Sequence, residues 1–218
     1  MALSAEIYNF GFDTVDANCM ADREAMALDY TAPDGRRLGI TRDYFRHHSD
    51  LMAEFLRFKG VKPRDYAVVC GLEDTFELYL LLTALSKIEA VMVVVAAETL
   101  ADALRRYCPT LVVCDAQSRA VDIVNQQDDS TLKLRVSIGV PTPKGWRDLH
   151  RGSWRVHEFL VPDFGERTDQ DIVAVDYLSD NPVVYTRHSL TQIEASEGWK
   201  GFVTSQLKGH PFIVNKQR

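Results

Sequence analysis

No stretch of this chain approaches the ~20 consecutive apolar residues that cross a bilayer, so no membrane span is expected. Cations are in the minority. The 25 Lys and Arg stand against 31 Asp and Glu, giving a net charge of −6, and no basic stripe gathers them. Nucleic-acid binding selects for clustered Lys and Arg and is not expected. The opening residues MALSAEIYNFGF have neither a basic segment nor a long apolar core, so a secretory leader is not expected. Cysteine is scarce: Cys19, Cys70, Cys108 and Cys114. Cys70 and Cys114 fall within apolar runs, which reads as buried, reduced thiols in a cytoplasmic protein. Cys108 and Cys114 are too far apart for a C-x-x-C redox motif. The nucleophile elbow, the H-E-x-x-H zinc motif, the Walker A loop and the dinucleotide fingerprint are all missing. His47 and His48 are adjacent on a helical pattern and project in different directions. Zinc sites bring three or four ligands, so no metal site is expected.

What is present is a chain organised around residues 66–95. Tyr66–Cys70 and Val91–Val95 are short, largely β-branched runs, apolar on both faces, as in strands buried within a parallel sheet. The segment between them carries Phe76, Leu78, Tyr79, Leu81, Leu82 and Leu85 at helical spacing. Strand, helix and strand of this length make a βαβ crossover.

Upstream, residues 5–16 predict one helix, weakened by Gly11. Residues 24–30 predict an edge strand. Pro33, Asp34 and Gly35 turn the chain into a return strand over 36–40. Thr41 is an N-cap with Asp43 in the first turn, and the helix after it is expected to bury Tyr44, Phe45, Leu51, Met52, Phe55 and Leu56. Gly60 and Pro63 end that helix. Downstream, the spacing predicts a helix over 98–107, a strand over 111–114, a helix over 118–126 and a strand over 132–140. It then predicts one helical turn over 146–149, a last strand over 172–178 and an extended segment over 183–185. A helix over 190–199 precedes a tail that is frayed or used in packing. The expected fold is α/β: an open, mostly parallel sheet of at least four strands with flanking helices. Its expected organisation is a single domain over 1–218, with an opening hairpin and helix (1–60), the βαβ core (61–140) and a loosely organised C-terminal part (141–218). His150, Arg151, Trp154 and His157 form an aromatic and basic cluster that reads as loop packing, because no acid accompanies it.

Several segments recur together in one known family. They are YNFGFDTVD (8–16), the GVKPRD turn (60–65), LYLLLTALSKIEAVMVVV (78–95), DALRRY (102–107), LVVCD (111–115) and the strand over 172–178. Their order resembles the N-terminal subdomain of adenylate-forming enzymes, the acyl-CoA synthetase and AMP-binding superfamily, and most closely the acetyl- and medium-chain acyl-CoA synthetases. The resemblance implies the fold, with ATP·Mg²⁺ and CoA as the family's cofactors. It places Tyr177, Ser179, Arg187, His188 and Ser189, together with Tyr185, beside the nucleotide.

Three departures qualify what is implied. The family's phosphate loop reads approximately Tyr-x-Thr-Ser-Gly-Thr-Thr-Gly-x-Pro-Lys, where small residues let backbone N–H groups wrap a phosphate and Lys adds charge. Here Tyr177, Leu178, Ser179 and Asp180 run directly into Asn181, Pro182 and Val183, and the glycines, threonines and lysine are missing. The loop at Val95, Ala96, Ala97 and Glu98 is short and apolar where the family has Pro and small polar residues. The family's second large subdomain and mobile C-terminal domain have no counterpart in these 218 residues. The expectation is therefore a non-catalytic, stand-alone domain of this type, with no cofactor, acting through protein contacts or through small-molecule binding without turnover. An apolar face left uncovered would be met by a homodimer or a protein partner. The alternative is a fragment or subunit of an AMP-forming acyl-CoA ligase, which would use ATP·Mg²⁺ and CoA with a further chain.

Overall fold

The computed structural model describes residues 7–31, 35–73, 75–127, 130–156, 158–161, 164 and 166–214. The chain opens with a π-helical stretch, Phe10–Asp16, followed by α1 (Ala17–Ala21). Gly11 explains the departure from a single regular helix. A Cβ there would lie 2.5 Å from Lys87 Cγ, so the backbone passes directly against a neighbouring helix. β1 (Met26–Thr31) and β2 (Arg37–Thr41) form the predicted hairpin. Pro33 and Asp34 of its turn lie outside the described residues. Thr41 caps α2 (Arg42–Phe58), its side chain accepting from Tyr44 N. Gly60, at φ +92, ends that helix as expected. Tyr44, expected inside, is 48% exposed, and its ring lies tilted against that of His48, one turn on, with centres 4.0 Å apart.

β3 (Tyr66–Cys70), α3 (Phe76–Lys87) and β4 (Val91–Val95) are the predicted crossover. Then come α4 (Leu100–Tyr107), β5 (Leu111–Asp115), α5 (Ala120–Asn125) and β6 (Leu134–Ile138). The single helical turn expected over 146–149 is instead a short strand, β7 (Arg147–Asp148), with α6 (Leu149–Ser153) after it. Asp148 is the reason for that boundary: its carboxylate accepts from Arg151 N at 2.8 Å and starts the helix there. β8 (Ile172–Tyr177) and β9 (Val183–Thr186) follow, so β8 is not the last strand.

Only the ends of the helix expected over 190–199 are helical, and 191–197 is turn and irregular chain. α7 (Arg187–Leu190) is a single turn, and α8 (Gly198–Leu207) begins where the expected helix was to end. The buried face of α8 is Trp199, Phe202, Val203 and Gln206, a helical period. Gly201 belongs inside it because a Cβ would meet the Ser196 backbone carbon at 2.6 Å. The tail forms β10 (Phe212–Val214), which pairs parallel with β1. β1 is thus the centre of a three-stranded sheet, order β10-β1-β2, and not the expected edge strand.

The larger sheet has seven strands in the order β7-β6-β5-β3-β4-β8-β9, parallel except for the antiparallel β8–β9 pair. Alternation along its strands separates two apolar cores. Ala67, Val69, Met92, Val94, Val113 and Ala174 face α2, α3 and α8. Val68, Cys70, Val93, Val95, Val112, Cys114 and Tyr177 face α4 and α5. α3 is buried on nearly every side, with sheet beneath it and helices above, which is why its sequence is apolar all round. Each large aliphatic side chain so buried contributes about 1.5–3 kcal/mol. Burial also holds the Cys70 thiol up at about 12 and pushes Cys114 higher still, so neither supplies a thiolate. Within α3 a charged side chain, Lys87, is also fully buried, with Nζ 2.7 Å from Asp16 Oδ1 and 2.5 Å from Asp50 Oδ1. Among the described residues, no helix is long and apolar enough to cross a membrane.

Candidate functional site

In an open α/β sheet, ligands gather outside the carboxyl ends of the strands where the crossovers change face. Here that point lies between β3, which leads to α3 on one face, and β5, which leads to α5 on the other. The two loops close on each other. A Cβ at Gly71 (φ +74) would lie 3.6 Å from Ser118 Cβ, and Glu98 and Arg119, from the loops after β4 and β5, pair across the end of β3.

β8 ends beside this region. Tyr177 is buried, and its hydroxyl donates to Asp102 Oδ2 at 2.5 Å. That hydrogen bond to a carboxylate raises the phenol above its ordinary range. Thr99 Oγ1 donates to the Tyr177 carbonyl at 2.7 Å, and the Arg106 guanidinium lies 6.0 Å from the ring centre. Ser179 and Asp180 are exposed in the connection over 178–182. Leu178 N donates to Asp176 Oδ1 at 3.3 Å, and Lys200 Nζ is 2.8 Å from Asp176 Oδ2. Pro182 has no N–H to offer.

The antiparallel return of β9 then carries the chain back toward the amino ends of the strands. Thr186 and Ser189 form a reciprocal capping box: Ser189 N donates to Thr186 Oγ1 at 3.2 Å and Thr186 N donates to Ser189 Oγ at 2.8 Å. Arg187 turns inward. It is 5% exposed and donates to Glu89 Oε2 at 2.5 Å and to the Tyr8 carbonyl at 3.1 Å. Glu89, itself buried, also takes Arg167 at 3.0 Å and Asn9 Nδ2 at 3.2 Å. His188 is exposed, with Nε2 3.0 Å from Gln192 Nε2. The residues singled out from sequence therefore separate. Tyr177 and Ser179 lie at the carboxyl end of β8, whereas Arg187, His188 and Ser189 lie at the other end of the strand pair. Tyr185 and Ser189 share a shallow cleft of about 420 Å³ with Gln192, Ile193 and Lys200.

A larger cleft, about 680 Å³, lies at the opposite edge of the sheet. The C-terminal half of α2 supplies Phe55, Phe58 and Lys59, and the segment around β7 and α6 supplies Trp146, Arg147, Arg151 and Arg155. From sequence, His150, Arg151, Trp154 and His157 in this region are expected to be loop packing with no acid beside them. In the structure His150 Nε2 lies 3.2 Å from Glu77 Oε1, and that hydrogen bond raises its pKa. Arg151 faces the cleft, and His157 lies outside the described residues. The available signal was the four-residue spacing of Arg147, Arg151 and Arg155. Among the described residues, no cluster of His, Cys, Asp or Glu is arranged to hold a metal.

No family model matches this chain, and no curated protein does. Solved structures do match. Acetoacetyl-CoA synthetase from Streptomyces lividans superposes with a TM-score of 0.78 at 16% identity, covering 94% of this chain and 38% of its own. The Brucella canis acyl-CoA synthetase gives 0.78 at 15%, covering 99% and 45%. The inhibitor-bound N-terminal domain of FACL13 from Mycobacterium tuberculosis gives 0.72 at 18%, covering 96% and 57%. The chain thus has the fold of the N-terminal domain of acyl-CoA synthetases, and it spans between 38% and 57% of these three structures.

Proposed function

We propose that this chain is a non-catalytic module that keeps the acyl-CoA-synthetase N-terminal fold and acts by binding a partner or a small molecule without turnover. The observation that carries this reading is the connection over 178–182. Asp180 is exposed within it, Pro182 lacks a donor, and Leu178 N is taken by Asp176. Lys200, which reaches the end of β8, is paired with Asp176. A carboxylate about 4 Å from a phosphate opposes binding by about 1 kcal/mol in water and about 4 kcal/mol in a half-buried site. These residues do not fit a triphosphate, and no step through ATP is derived from them.

Leu178, Val183 and Val184 are 41–51% exposed along the β8–β9 edge. Open strand edges with apolar side chains recruit another chain, so this edge supports a homodimer or a protein partner. The buried free thiols of Cys19, Cys70 and Cys114 fit a cytoplasmic setting.

The test is ATP–pyrophosphate exchange with fatty acids present, thermal shift with ATP·Mg²⁺, AMP and CoA, and light scattering of the protein alone. The expected result is no exchange, no nucleotide shift, and a mass of at least twice that of one chain. Exchange, or a rise in Tm with nucleotide, would overturn the reading, because a ligand bound by the native state alone stabilises it. In that event the second reading takes over: a piece of an AMP-forming ligase using ATP·Mg²⁺ and CoA with a further chain. The partial coverage of the matched structures is what favours that reading.

A further inference from the structure

The cleft between α2 and α6 combines two features that ordinary surface does not. Its floor is aromatic. Phe55 and Trp146 are buried beneath it, and Phe58 lies at its mouth, 75% exposed. Its rim is cationic in a protein of net charge −6. Lys59, Arg147, Arg151 and Arg155 all line it, and none of them forms an ion pair with a described residue. Lys59 Nζ lies 5.0 Å from the centre of the Phe58 ring.

The carboxylates present do not cancel this charge. Glu54 is held by Arg57 through two hydrogen bonds, at 2.9 and 2.5 Å. Asp148 caps α6 and lies 3.4 Å from Thr142 Oγ1. Glu158 is the remaining acid on the lining. The walls are also fixed in place. Gly152 brings α6 so close to α2 that a Cβ would lie 2.5 Å from the Phe55 ring, and the Trp146 indole N–H donates to Asn125 Oδ1 at 3.0 Å. A volume of about 680 Å³ is that of a small-molecule pocket.

Guanidinium groups with no ion pair among the described residues, around an aromatic floor, match one ligand chemistry: a flat apolar body carrying a carboxylate or phosphate. We infer that this cleft is a binding site for a small aromatic anion, with the ring seated on Phe55, Phe58 and Trp146 and the anionic group held by Arg151 and Arg155. The site rests on the binding-module reading only in requiring no turnover. It lies at the β7 edge, away from the β8–β9 connection on which that reading depends.

The test is calorimetric titration of the full chain with naphthoate and naphthyl phosphate, followed in parallel by tryptophan fluorescence. Neutral naphthalene methanol, inorganic phosphate and vesicles of neutral or anionic phospholipid serve as the comparison arms. Saturable binding at one site per chain is expected for at least one of the two aromatic anions, and which of them binds tells a carboxylate site from a phosphate site. The neutral alcohol and inorganic phosphate should bind at least about tenfold more weakly. Arg151→Glu with Arg155→Glu should abolish binding, and Phe58→Ala should weaken it about fivefold while leaving the melting curve in place. Both substitutions are on exposed side chains, so folding is retained. Absence of saturable binding, equal binding of the neutral alcohol, or binding to anionic vesicles alone overturns the inference. The nucleotide and exchange assays above are unaffected by any of these outcomes, so the two readings fail separately.

Discussion

Replacing Arg187 with Met tests whether the residue that the sequence sets beside a nucleotide serves the fold instead. The side chain is 5% exposed and its guanidinium holds Glu89, whose own side chain is 4% exposed. Glu89 follows α3 at a positive φ of +59, just before β4, so its anchoring fixes how the core crossover turns. Removing one partner of a buried ion pair typically costs about 3–5 kcal/mol, because the other charge stays buried. Glu89 keeps Arg167 at 3.0 Å and Asn9 at 3.2 Å, which places Arg187→Met near the lower end, about 3 kcal/mol. For a chain of this size that is a fall in Tm of about 6–12 °C. Urea and thermal melts followed by circular dichroism read both quantities. The double variant with Glu89→Gln should lose less than the two single losses added together, by about 1 kcal/mol or more. A loss below about 1 kcal/mol for Arg187→Met, or strict additivity in the double variant, would refute the structural role assigned to this pair.

Gly152→Ala should destabilise by about 1–3 kcal/mol, since the added methyl meets the buried Phe55 ring at 2.5 Å; urea melts measure it. Phe212→Ala should cost about 3–5 kcal/mol, because the ring packs on Tyr79 at 5.4 Å and Phe202 at 6.1 Å. Ile213→Thr on the same strand, 55% exposed, should change stability by less than about 0.5 kcal/mol. The His150–Glu77 pair should give a pH dependence of defined sign. The Glu77 hydrogen bond raises the folded pKa of His150, so the pair's stabilisation is complete below the unfolded value of about 6.5 and fades as pH rises through the folded one. Melts of wild type and Glu77→Gln should therefore differ more at pH 6 than at pH 8.5. A gap that widens with pH would contradict the assignment.

The elements that sequence located best are those whose signal is local. β3, β4 and β5 are β-branched runs buried on both faces, and their placement requires no knowledge of distant residues. The Thr41 cap and the Gly60 stop likewise act within one turn of the backbone. The errors fall where two signals overlap. The helix end expected at 199 is where α8 begins, and Trp199, Phe202, Val203 and Gln206 recur along it at the helical period. Tyr44 lies at a position that also fits an inward face, yet it is half exposed with its ring tilted against that of His48.

The site was legible only in part. The departure from the phosphate-loop pattern at Ser179, Asp180 and Pro182 is plain in the residues themselves. The separation of Tyr177 from Arg187 is not, because it follows from the antiparallel return of β9. The aromatic cleft was invisible for a similar reason: Phe55 and Phe58 sit on α2, about 90 residues before Arg147, and only the docking of α6 on α2 brings them together.

By itself the sequence determined the fold class and the central crossover, because alternation, caps and breakers act over a few residues. Tertiary structure alone decided which distant groups meet. Phe212 finds Leu28 across β10 and β1, Arg187 finds Glu89, and three arginines without an ion pair among the described residues surround an aromatic floor. The physical reason is that burial rewards any apolar or ionic match that the packed layers permit, whatever its separation along the chain, and local periodicity carries no record of that match.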